Sequence, residues 1–132
     1  MNYALFIKLY KNIQIIVGSL GKIYFKKGNY LYVGSAKINF KSRIKRHLLK
    51  DKKIFWHIDY LLSSKNAIIK EVWVTNKIKE CNIAKLLNKM GCNPIKDFGS
   101  SDCKCFSHLF FINNIREVKS LFKIKGFINY LI

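Results

Sequence analysis

Arg43 and His47 stand one helical turn apart in a chain that otherwise takes its positive charge from lysine. Only three of its 25 basic residues are arginine, namely Arg43, Arg46 and Arg116. A guanidinium grips phosphate through two parallel hydrogen bonds, which a point-charge ammonium does not match. An arginine kept among lysines therefore marks a place where that fork is wanted. The ordinary alternative for Arg43 is a solvated flank residue; for His47 it is a helix-end histidine near the last carbonyls. Phe40, Ile44 and Leu48 form the apolar stripe of this helix, with Arg43 and His47 on its flank and Arg46 further toward solvent. Immediately upstream, YLYVG (30–34) puts Tyr30, Tyr32 and Gly34 on one strand face, and the glycine reads as a turn that lets a backbone approach phosphate.

Glu80 is the second anomaly, in a chain with only seven acidic residues. In the helix expected over 78–90, Ile83, Ala84, Leu87 and Met90 make the apolar face, and Glu80 falls within it. A carboxylate at a core edge needs a partner. Magnesium is held by few carboxylates and keeps several waters, so a divalent cation suits it. The plainer reading is a first-turn glutamate favoured by the helix dipole.

FGSSDCKCFSHLF (98–110) offers Cys103, Cys105 and His108, with Cys81 or Cys92 as a fourth ligand. The C-x-C-x-x-H spacing lacks the two-residue gap usual in zinc knuckles. On a strand, Cys103 and Cys105 face opposite to His108. Buried thiols and no structural zinc are the expectation. Asp102 and His108 remain as residues bordering a cleft. In WHIDYLL (56–62), Trp56 and Tyr60 read as core. His57 and Asp59 are further cleft residues, pointing different ways on a helix.

The elements that must position these side chains follow from periodicity and turn signals. Residues 3–9 and 13–18 read as strands joined by a short turn, and 22–25 and 30–34 as a second hairpin. The 30–34 strand is apolar or aromatic on both faces, hence central. Asn39 caps a helix from Phe40 to Leu49. A short helix follows at 56–63, a strand at 67–75, the helix at 78–90 stopped by Gly91 and Pro94, and a strand at 104–112. The result is a small α+β domain over residues 1–112, with a C-terminal helical extension over 113–132 packed on it.

A net charge of +18 attracts polyanions, although a lysine-biased proteome accounts for part of it. Lys26, Lys27, Lys41 and Arg46 join Arg43 as a nucleic-acid-binding set. No apolar run reaches the ~18 residues of a membrane span, and no secretory leader is recognisable. The expectation is a cytoplasmic protein with reduced thiols and no membrane partner.

YVGS (32–35), followed by Arg43 and His47 and later by Glu80, resembles the GIY-YIG nuclease superfamily. It resembles most a mainly archaeal GIY-YIG-like branch sometimes fused to a DNA-repair glycosylase. GNYLYVGSA (28–36), RIKRHL (43–48), WHIDYLL (56–62), EC (80–81) and FGSSDCKCFSHLF (98–110) carry the likeness. It implies a central, mainly antiparallel sheet flanked by helices, here with an extra N-terminal hairpin. Tyr32 would be the YIG tyrosine, and Tyr3 the first tyrosine, with Tyr24 its rival. Arg43 would bind phosphate, and His47 would carry a proton or donate a hydrogen bond. Glu80 would hold one Mg2+ or Mn2+. The implied activity is metal-dependent endonucleolytic hydrolysis of DNA or structured nucleic acid, DNA favoured over RNA, beside a DNA-repair enzyme. The alternatives are a non-catalytic nucleic-acid-binding module of the same fold and a zinc-stabilised adaptor.

Overall fold

The computed structural model describes residues 1–101 and 103–130. The elements run β1 (Asn2–Leu9), β2 (Ile13–Ile16), β3 (Lys22–Phe25), β4 (Gly28–Ser35), α1 (Phe40–Leu48), α2 (His57–Leu62), β5 (Ala67–Thr75), α3 (Glu80–Lys89), β6 (Asn93–Pro94), β7 (Leu109–Ile112), α4 (Ile115–Ile124) and β8 (Ile128–Tyr130). Six strands form one antiparallel sheet in the order β6-β7-β4-β1-β5-β8, and β2 and β3 form a separate hairpin. This is the α+β architecture the sequence implies, extra hairpin included. No helix among the described residues is long and apolar enough to cross a membrane.

β1 and β4 are apolar on both faces, so they can only lie inside the sheet with a layer on each side. Tyr3, Leu5, Ile7, Tyr30 and Tyr32 face one layer, made by Ile44 of α1, Ile58, Leu61 and Leu62 of α2, and Ile13, Ile15 and Ile23 of the hairpin. Ala4, Phe6, Leu31 and Val33 face the other, made by Ile83 and Leu87 of α3 and Val118 and Phe122 of α4. The period-two alternation of a strand thus serves two cores at once.

The strand pairing differs from the sequence expectation. β1 pairs with β4 and β5, not β2, and β3 pairs with β2, not β4. β2 alternates half-buried and exposed residues, which suits a ribbon lying over the sheet and not a strand within it. The tail is helical only to Ile124. Gly126 (φ 87°) then turns the chain, Phe127 stacks on Phe122 at 4.1 Å, and β8 adds an edge strand to β5. The strand expected over 104–112 begins only at Leu109. Asn39 does not cap α1 with its side chain; it adopts a left-handed conformation (φ 54°). The helix is also turned further than its sequence suggests. Ile44 and His47 are buried, while Leu48 is 39% exposed.

Gly34 is not a turn residue. It lies within β4, directly opposite Tyr3 in the ladder. A Cβ built on it would stand 2.4–2.6 Å from atoms of the Tyr3 side chain. The missing side chain is what lets the tyrosine lie across the neighbouring strand. Gly34→Ala should therefore cost about 2–3 kcal/mol in urea unfolding. In a Tyr3→Val background the added methyl meets space, and the cost should drop below about 1 kcal/mol. Equal costs in both backgrounds would show that the ring is not the obstacle.

Candidate functional site

Beside the sheet, the end of β4, α1, the first turn of α3 and the loop before β7 enclose a cleft of about 560 Å³. Tyr3, Tyr32, Arg43, Trp56, Glu80 and His108 are among the residues that line it. Three backbone-anchored contacts set its geometry. The Ala36 N–H donates to the Met1 carbonyl at 2.9 Å. The Asn2 amide donates to the Ile78 carbonyl at 2.8 Å, tying β1 to the run-in of α3. The Val33 N–H donates to the His108 carbonyl at 2.9 Å, tying β4 to the loop.

Tyr3 is almost fully buried, and its hydroxyl lies 2.8 Å from His47 Nε2. Burial pushes the Tyr3 phenol up to about 12, against the pull of the nearby Arg43 guanidinium. Burial likewise pushes His47 down to about 4, helped by the positive charge of Lys52. Both groups are therefore neutral at neutral pH. Tyr3 donates and Nε2 accepts in the tautomer that carries its proton on Nδ1, which has no hydrogen-bond partner. Tyr32 is raised further, again by burial first and then by the neighbouring Tyr3 and Glu80.

Arg43 donates from Nη1 to the Ser35 carbonyl at 3.0 Å and lies 4.4 Å above the Trp56 ring. Its guanidinium is thus tethered at the cleft wall. Arg46 lies 4.6 Å from the same ring but is committed elsewhere. It makes a two-pronged pair with buried Asp59, at 2.9 and 2.8 Å. Asp59 also accepts from the Phe55 and Trp56 N–H groups. Arg46 and Asp59 thus splint α1 to α2, and neither is among the cleft-lining residues. His57 accepts from the Gly99 N–H at 2.9 Å, so it props the loop. Asp102 lies outside the described residues. Lys41 is exposed in the first turn of α1, on the element that carries Arg43. Lys26 and Lys27 precede β4 at its far end, about 16–20 Å along the strand from Tyr32, the nearest residue of β4 that lines the cleft, at 3.3 Å per residue.

Residues 103–108 are not a strand, so the opposed facing expected of the cysteines and His108 does not arise. The sulfurs of Cys81, Cys103 and Cys105 and a ring nitrogen of His108 all lie within 4.8 Å of one another. Four ligand atoms so placed can hold a metal ion, which overturns the geometric ground for expecting none. Cys92 is buried in the core beneath α3 and α4, outside this group of four. Glu80 Oε2 lies 3.8 Å from His108 Nδ1, so cleft and cluster share a wall. Sequence reasoning did not see Trp56 as the platform for two guanidiniums. The signal was there: Arg43 and Arg46 are three residues apart, and a flat aromatic is the surface that seats two such planes.

The molecule is thus a small three-layer α+β domain with a tyrosine-, arginine- and glutamate-lined cleft beside a Cys/His cluster. A family profile described as "Domain of unknown function DUF123" matches residues 2–127, and the chain belongs to that family. Comparison with curated proteins and with solved structures gives no match.

The buried His47 makes a stability prediction. Its folded-state value, about 4, lies below the ordinary 6.5. Between the two the unfolded chain binds the extra proton, so stability is full above pH 6.5 and falls as pH drops toward 4. The loss should reach about 3 kcal/mol. His47→Gln should flatten urea-unfolding stability across that window. A wild-type profile already flat there would remove His47 as its cause.

Proposed function

We propose that this chain is a GIY-YIG-type, divalent-metal-dependent endonuclease acting on DNA or structured nucleic acid. The observation that carries the reading is convergence. Tyr3, Tyr32, Arg43 and Glu80 come from β1, β4, α1 and α3 and line one cleft, with His47 directly behind Tyr3. The donor set suits Mg2+ or Mn2+. Glu80 is a half-buried carboxylate at the cleft wall and, among the described residues, the one carboxylate lining it, and such ions take few carboxylates and keep their waters. Bound there, the ion would neutralise phosphate charge and stabilise the leaving oxygen.

The chain's own groups divide the remaining work. Arg43, fixed by Trp56 and Ser35, presents its fork to the phosphoryl oxygens, where charge builds in the transition state. Tyr3 is the better placed of the two tyrosines to take a proton from the attacking water, because burial raises Tyr32 further. The base is the Tyr3 phenolate, and the phenol ionises to it only when cationic charge in the cleft offsets its burial, the direction in which Arg43 already acts. His47 orients the phenol from behind. The family resemblance adds DNA over RNA and a repair enzyme as working partner.

A specific observation favours a second reading. Burial holds both tyrosines protonated at neutral pH, which leaves a nucleic-acid-binding module if no ion enters. Paired binding and single-turnover cleavage assays, on branched and linear substrates with Mg2+ or Mn2+, separate the two. Glu80→Gln keeps the acceptor facing His108 and removes the charge. It should abolish cleavage and leave affinity unchanged or slightly higher. Arg43→Lys should lower turnover at least about tenfold and binding much less. Lys41→Ala should weaken binding and reduce its salt slope by up to about one. Salt-dependent binding with no cleavage by the wild-type protein on any substrate would leave the binding module.

A further inference from the structure

We propose that Cys81, Cys103, Cys105 and His108 form a structural zinc site that locks the loop before β7 onto the first turn of α3. The site shares Cys103 and His108 with the cleft wall, but its metal binding does not rest on the nuclease reading and stands even if the cleft cuts nothing.

Geometry comes first. Zinc bonds of 2.3 Å to sulfur and 2.0–2.1 Å to nitrogen place tetrahedral ligands about 3.8 Å apart for two sulfurs and about 3.6 Å for sulfur and nitrogen. His108 Nε2 lies 3.4 Å from Cys103 Sγ and 3.9 Å from Cys81 Sγ. The fourth ligand atom, from Cys105, falls within the same 4.8 Å group. Three sulfurs and one imidazole make a closed set, which leaves no position for water or substrate and marks a structural site and not a catalytic one. Soft thiolates select zinc over the oxygen-loving cations. All four cysteines are free thiols, so no disulfide competes for these sulfurs.

A second observation is independent of those distances. With Nε2 turned to the sulfurs, the other ring nitrogen of His108 faces Glu80 Oε2 at 3.8 Å. A metal-bound histidine ordinarily presents its second nitrogen to a carboxylate or carbonyl, which fixes its tautomer and its orientation. The imidazole is anchored from behind as well, because its backbone N–H donates to Phe98 at 2.8 Å and its carbonyl accepts from Val33 at 2.9 Å.

The loop supplies the physical need. Its stems are held by backbone bonds, Asp97 N–H to Phe106 and His108 N–H to Phe98. Its tip is short of apolar anchors: Phe106 is 57% exposed, and Cys103 and Cys105 are only half-buried. An ion shared between this tip and Cys81 explains why the tip folds against α3. Glu80, next to Cys81 in the chain and against His108 in space, is then placed from two sides. In this role Glu80 is a positioning residue.

The test is metal content of the full chain, purified under reducing conditions with zinc in the medium and no chelator. The expected result is about one zinc per chain by mass spectrometry of the metal. Exchange into Co2+ should give the intense visible bands of a tetrahedral thiolate complex. Cys103→Ser and Cys105→Ser should lose the metal, while Cys92→Ala, outside the ligand group, should keep it. Zinc, and not magnesium, should restore the thermal midpoint lost on chelation. Less than about a tenth of an equivalent of zinc in wild type, full zinc in Cys103→Ser, or an intact mass lower by one hydrogen pair, as a disulfide requires, would each overturn the proposal. Should the serine variants fail to fold, the cobalt spectrum of the wild-type chain decides. These readouts do not involve cleavage, so failure here and failure of the nuclease reading are told apart.

Discussion

A tyrosine ring lying across a neighbouring strand needs a partner with no side chain, and β4 provides one in Gly34. The β1–β4 register places Tyr3 opposite that residue and no other. From there the phenol reaches His47, which explains why α1 buries a histidine where its apolar pattern would have buried Leu48. The same rotation of α1 brings Arg43 to the end of β4 and onto Trp56. A slip of one residue in the ladder would send Tyr3 to the other core and empty the cleft of its first tyrosine.

The positive charge of the chain is not all turned outward. Arg46 spends its fork on Asp59. Lys50 donates to the carbonyls of Leu62, Ser64 and Ala67, and Lys52 to those of Arg46 and His47. Lys119 pairs with Glu71. These cations cross-link helix ends and connecting loops, and burial pulls Lys52 down to about 8. Lys50 and Lys52 thereby satisfy carbonyls, those of Leu62 and His47, that the C-terminal ends of α2 and α1 leave without an intrahelical donor.

Much of this was readable from the chain. Alternation in 30–34 announced a strand covered on both faces, and the rarity of Arg43 and Glu80 singled out two residues that share the cleft. What escaped had a physical reason in each case. Period-two patterning tells which face a residue takes, not which strand lies beside it, so β2 and β3 were assigned the wrong partners. The opposed facing of Cys103 and His108 assumed extended backbone where the chain folds irregularly. Arg46 looked solvated because its acceptor, Asp59, comes from a different helix, a contact that no local periodicity encodes.

The hairpin of β2 and β3 occupies the stretch between two strands that are themselves direct neighbours. It leaves the sheet at Leu9 and returns to it at Gly28 without entering the β1–β4 ladder. Its length is thus decoupled from the placement of Tyr3 and Tyr32, which sit diagonally across adjacent strands however long the detour between them. The distance in sequence between the two tyrosines is therefore set by the detour, and their distance in space by the ladder. A sequence pattern defined by the number of residues between the tyrosines would then separate proteins whose clefts superpose.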